Sequence, residues 1–200
     1  PLQLSADYGV TQDRQLGDYI ARTGKGLAAG THRPQMPYRF EVVNATYVNA
    51  YAFPGGTIAT TRGILLKIDN EAELASLLGH ELGHVNARHT AQQMSKAALT
   101  QTLVGGASAL AGGQGSALGD LTGQLGAIGA GALLASYSRD NEREADDLGL
   151  RYMAAAGYNP DGFKGLMDIL RSLNRHKANA VELLFATHPM SQERYDTAVQ

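Results

Sequence analysis

The stretch ELASLLGHELGHVNARHT (Glu73–Thr90) reads as an apolar helix interrupted by His80, Glu81 and His84. Leu74, Leu77, Leu78 and Val85 supply its apolar face at helical spacing. Asn70 stands where an N-cap belongs, with Glu73 three residues on, a capping-box arrangement. Polar side chains inside such a helix are costly unless something satisfies them. His80-Glu81-Leu82-Gly83-His84 has the spacing H-E-x-x-H. Residues four apart share one helix face, so both imidazoles can grip a single metal ion. Glu81 lies beside that face, within reach of a water on the metal. Zinc suits imidazole and carboxylate donors and leaves a position for water, whose proton Glu81 takes as general base.

Composition restricts what else the chain can be. It has 200 residues, enough for one domain over 1–200 with a sizeable core. A net charge of -2 and no basic block give no footprint for nucleic acid. There are no cysteines, so disulfides and thiolate zinc sites are excluded and any metal falls to histidines and carboxylates. Leu103 to Ala135 is long and nearly uncharged, but Gly, Ala, Ser and Gln dominate it, too sparse in large apolar side chains for a spanning helix. It also lacks the Lys/Arg-rich face of an interfacial helix. The start, PLQLSADYG, has neither a basic beginning nor an apolar core. The chain is therefore cytosolic, or a targeting segment has been removed.

Along the chain, Thr11 to Ala29 is expected to be helical, and Tyr38 to Ala52 has a β-rich composition. FPGG (Phe53 to Gly56) is a turn signal, and TIATTRGIL reads as another strand. A second helix is expected over Ala91 to Leu103, and a helical hairpin over the Gly/Ala segment. Ser138 to Tyr158 is helical, stopped by Gly157 and Pro160, and further helices follow at Phe163 to Leu173, Ala178 to Leu184 and the C-terminus. The fold class is α+β, predominantly helical, with a small sheet.

A third ligand is needed. His89 lies five residues beyond His84 where a known extended motif requires six, and residue 87 is Ala where it requires Gly, so His89 is read as a surface or packing residue. DNEREADD offers Glu142 and Asp146, four apart on one face: one can bind the metal while the other orients a ligating histidine. Glu144 faces elsewhere. The competing reading is a solvent face with Arg139 and Arg143 pairing the acids.

HELGH followed by NEREAD resembles peptidase family M48, the gluzincins that include HtpX and the type 1 CAAX prenyl proteases. VNAYAFPGGTIATTRGIL (Val48 to Leu65) resembles the strand segment that precedes the family's active-site helix. THP (Thr187 to Pro189) resembles a loop of its soluble periplasmic members. The resemblance implies a zincin-like catalytic domain with the sheet packed on the H-E-x-x-H helix. It maps the third ligand of one Zn²⁺ to Glu142 and the orienting carboxylate to Asp146. It brings His188 to the metal, as a fourth ligand holding the enzyme latent or as a stabiliser of the oxyanion. A loop or N-cap role for His188 is the competing reading. Arg194 is a weaker oxyanion candidate that can instead pair with Glu193 or Asp196.

The implied activity is a zinc metalloendopeptidase acting on unfolded or misfolded proteins. The substrate would lie extended along an exposed sheet edge, assigned to Gly56, Thr57, Ile58 and Ala59. The match is to a soluble, protease-only member. It sits in the periplasm or against a bacterial membrane on the envelope side, given a removed targeting segment, with contacts to envelope proteins or the membrane surface. The rival function is a latent or inactive metal-bound chaperone or adaptor for envelope protein quality control.

Overall fold

A computed structural model describes residues 9–110, 131, 135–176 and 182–199. In chain order its elements are α1 (Arg14–Ala29), β1 (Arg39–Val43), β2 (Ala50–Ala52), β3 (Thr57–Thr61), α2 (Arg62–Leu65), α3 (Glu71–Asn86), α4 (His89–Leu110), α5 (Arg139–Ala155), α6 (Asp161–His176), α7 (Glu182–Thr187) and α8 (Gln192–Val199). The chain is mostly helical with a small sheet, an α+β arrangement of zincin type. Among the described residues no helix is long and apolar enough to cross a membrane. The Gly/Ala segment beyond Leu110 and the start of the helix expected at Ala178 lie outside the described residues.

The H-E-x-x-H helix, α3, is the centre of the molecule. Every residue from Glu73 to Asn86 is buried. A helix buried on every side lies inside its domain, and α1, the sheet, α5 and α6 all pack around this one. Its start is fixed by Asn70, whose Oδ1 accepts from Glu73 N at 3.0 Å. Such a cap is worth about 1 kcal/mol. The expected capping box does not close. Glu73 Oε2 accepts instead from Asp69 N at 2.8 Å, one residue further back. A full capping box forms on α5, between Ser138 and Asn141.

Glycine sets the closest packing. A Cβ on Gly83 would sit 2.6 Å from the carbonyl oxygen of Ala145, and one on Gly149 would sit 2.8 Å from His80 N. So α3 and α5 touch backbone to backbone. Ile20 and Leu27 of α1, Leu78 and Leu82 of α3, Met153 of α5 and Leu166 and Met167 of α6 fill the core around them.

The sheet has the order β1-β3-β2, with β1 parallel to β3 and β2 antiparallel to it. The β2–β3 turn runs through Pro54 and Gly55, and Gly56 N donates to Phe53 O at 3.2 Å. Gly55 and Gly56 have φ of 93° and 94°, a conformation that favours glycine. This order corrects the edge assignment. Thr57, Ile58 and Ala59 belong to the central strand, paired on both sides, and Gly56 is part of the turn. Local sequence shows the β2–β3 hairpin, but the parallel pairing of β1 to the other side of β3 leaves no local signal. The outer side of β1 is covered by Gly9–Thr11, with Thr11 N donating to Val42 O at 2.8 Å. The remaining edge is that of β2. The strand expected to run on through Leu65 instead ends at Thr61, whose Oγ1 caps α2 by accepting from Ile64 N.

Candidate metal centre

Four side chains converge where α3 crosses α5. One ligand atom from each of His80, His84, Glu142 and His188 lies within 4.8 Å of the others, and all four residues are buried. His80 and His84 come from successive turns of α3, and Glu142 from the first turn of α5. His188 follows α7 and is held there by backbone bonds: its N–H donates to Leu184 O at 2.7 Å, and Tyr137 N donates to Thr187 O at 2.9 Å.

The imidazoles turn their Nε2 atoms towards one another, 3.0 Å apart. Glu142 Oε1 is 3.2 Å from His84 Nε2 and 3.1 Å from His188 Nδ1. Asp146 Oδ1 is 2.8 Å from His80 Nδ1. An ionised carboxylate only accepts, so His80 carries its proton on Nδ1 and presents a bare Nε2 when neutral. Burial pushes the His84 imidazole well below its ordinary pKa, which favours its neutral form. Burial alone would raise Glu142, but the neighbouring His188 and His80 hold it well below the usual carboxylate range. Imidazole nitrogens and a carboxylate aimed at one point form a donor set that fits a divalent cation.

Glu81 lies beside this cluster, 1% exposed, with His188 Nε2 3.9 Å from its Oε1. Its Oε2 is buried without a hydrogen-bond partner, and burial raises its pKa.

Several side chains around the site have partners other than those expected from the sequence. Arg194, 4% exposed, pairs with neither Glu193 nor Asp196. Its Nε and Nη2 clamp the two oxygens of Asp146 at 2.6 and 2.8 Å, and its Nη1 reaches Glu142. Burial alone would raise Asp146, but its hydrogen bonds to His80 and Arg194 lower it. Arg143, on the outer face, pairs with Asp140 and Glu193. Tyr137 stacks on the His84 ring at 3.9 Å, and its hydroxyl meets Thr90 Oγ1 at 2.7 Å. Thr90 in turn donates to Ala52 O on the outer side of β2 at 2.8 Å. His89 is not on the surface: it is 2% exposed and lies behind His84. Glu144 is not without a partner, since its Oε2 is 3.1 Å from His89 Nε2.

A helix-borne H-E-x-x-H that meets a glutamate from a second helix defines a metallopeptidase of the gluzincin kind. The model for peptidase family M48 matches residues 14–200, and the chain belongs to that family. It is 32% identical to the beta-barrel assembly-enhancing protease of Yersinia pestis over 98% of this chain and 41% of that protein. It is 31% identical to the metalloprotease YcaL of Escherichia coli over 95% of this chain and 71% of that protein. It is 29% identical to the mitochondrial metalloendopeptidase OMA1 of Arabidopsis thaliana over 96% of this chain and 37% of that protein. The chain thus spans about two fifths of the beta-barrel assembly-enhancing proteases it matches. The chain thus combines membership of this family with a His/Glu cluster able to bind a metal.

Proposed function

We propose that residues 1–200 form one catalytic domain that hydrolyses peptide bonds with a single Zn²⁺ held by His80, His84 and Glu142. The observation that carries this is the convergence of their ligand atoms in a buried site beside Glu81. Zinc bound there supplies Lewis acidity, which lowers the pKa of water towards about 7 and polarises the scissile carbonyl. Glu81 takes the proton of the attacking water and returns it to the leaving amine as the C–N bond breaks. Asp146 fixes the ring and tautomer of His80, and Arg194 fixes Asp146.

Among the described residues β2 is the other outer strand of the sheet, and it replaces the edge first assigned to β3. In an antiparallel pairing Ala50 and Ala52 turn their backbone groups away from β3. An extended peptide adding to that side would run past the cluster. Ala52 O is bonded to Thr90, and Thr90 to Tyr137, so substrate would displace this contact. Backbone pairing selects extended, hence unfolded, chains. The names of the relatives that enhance β-barrel assembly point to unfolded envelope proteins in the bacterial periplasm as the substrate class.

Glu81→Gln should retain one zinc per chain and lose about 10²–10⁴-fold in casein hydrolysis. Wild-type hydrolysis by this variant would remove Glu81 from the role.

The position of His188 favours a second, latent state. Its ligand atom is one of the four in the cluster, so it can occupy the position water needs. His188→Ala should then raise casein hydrolysis. A fall in activity would point instead to oxyanion stabilisation. If neither form cleaves and both bind unfolded protein, the chaperone or adaptor reading takes over.

A further inference from the structure

His89 and Glu144 form a second line of side chains behind the cluster. His89 Nδ1 is 3.0 Å from His84 Nδ1, and His89 Nε2 is 3.1 Å from Glu144 Oε2. His89 is 2% exposed, while the Glu144 side chain is 58% exposed. The Nε2 atoms of His80 and His84, also 3.0 Å apart, face the proposed metal position, whereas two ring nitrogens at that distance with no metal between them share one proton.

The carboxylate decides which ring holds it. Glu144 accepts only, so His89 carries a proton on Nε2. A neutral His89 then has a bare Nδ1, which must accept from Nδ1–H of His84. That leaves His84 Nε2 unprotonated, facing His80 Nε2 and Glu142. The reverse order would put the His84 proton on Nε2 and close that atom to a metal. Asp146 fixes His80 in the same way from the other side.

The backbone is bent to make this line. Along an unbroken helix, a residue five positions on is turned about 140° away from His84. Arg88 breaks α3 from α4 with φ of 61°, a left-handed conformation uncommon for residues other than glycine. The chain re-enters a helix at His89 with that side chain returned under His84.

We infer that His89 and Glu144 are positioning residues, a carboxylate–imidazole relay that sets the tautomer and ring orientation of His84 for metal binding. The inference rests on the metal site proposed above. Such outer partners typically change metal affinity about 10–100-fold when removed.

The test is zinc affinity, by competition with a chromophoric chelator, on wild type, His89→Leu, His89→Gln and Glu144→Ala, with circular dichroism as the control for folding. His89→Leu keeps the volume and removes the acceptor, so zinc affinity should fall by about 10–100-fold. His89→Gln offers a carbonyl oxygen to His84 Nδ1–H and should recover most of that loss. Glu144→Ala alters an exposed position, leaves the fold intact and should weaken zinc several-fold, since water can take the place of the carboxylate. A wild-type chain that binds no zinc overturns the metal site itself. A wild-type chain that binds zinc with all variants equal to it overturns the relay alone. So does His89→Gln binding as poorly as His89→Leu, which would make His89 a packing residue. If His89→Leu does not fold, unchanged affinity in Glu144→Ala overturns the relay, and a several-fold loss upholds it.

Discussion

At the scale of single residues, the site is a set of buried polar groups that satisfy one another. Arg194 shows this most clearly. It is held by Asp146 on two sides and reaches Glu142, while Asp146 also accepts from His80. Removing one partner of a buried ion pair leaves the other's charge uncompensated, which costs about 3–5 kcal/mol. Arg194→Met is expected to destabilise by that amount, seen as a lower urea midpoint, and to loosen α8 from α5. An unchanged midpoint would show that the clamp contributes nothing. Histidine spacing exposed only part of this network. H-E-x-x-H and the Glu142/Asp146 pair each place two groups on one helix face, which the sequence shows directly. Motif spacing set His89 aside as a third ligand, but the turn at Arg88 that brings it under His84 is not encoded by any Gly or Pro. Glu144 was read only as facing away from Glu142 and Asp146, since nothing in the sequence pairs it with His89.

At the scale of elements, the site exists because two helices approach to backbone contact. Gly79 and Gly83 of α3 face Gly149 and Ala145 of α5, and a Cβ at Gly83 would lie 2.6 to 3.1 Å from three backbone atoms of Ala145. Those atoms belong to the backbone that carries Glu142 and Asp146, so they cannot yield alone. Gly83→Ala should cost about 1–3 kcal/mol through overpacking. It should also weaken zinc binding by pushing Glu142 away from His80 and His84. Thermal melting and metal content measured on the same sample check both. A variant that melts with wild type and holds full zinc would mean the helices have slack. The sheet gave a different lesson. Composition located its strands near their true positions, but strand order depends on the pairing of β1 with β3 across intervening chain. That pairing made β3 central and left β2 as the edge beside Thr90 and Tyr137.

At the scale of the whole molecule, the core and the site share one helix. Leu78 and Leu82 of α3 are fully buried in the hydrophobic cluster, while His80, Glu81 and His84 of the same helix line the polar one. Helix class and family motifs were legible because α3 and α5 carry strong periodic patterns. His188 was reached only through the resemblance of its THP loop, and Arg194 only as an oxyanion candidate. The packing of Tyr137 on His84 and the clamp of Arg194 on Asp146 were not legible, since these residues reach the site from a loop and a short helix. The central claim is that one zinc ion joins α3 to α5 through His80, His84 and Glu142. Anomalous diffraction at the zinc edge from crystals of the zinc-loaded protein tests it most directly. One peak per chain is expected, about 2.0–2.2 Å from Nε2 of His80, Nε2 of His84 and a carboxylate oxygen of Glu142. No peak between these side chains, or a peak ligated by His89 or Asp146 in their place, would contradict it.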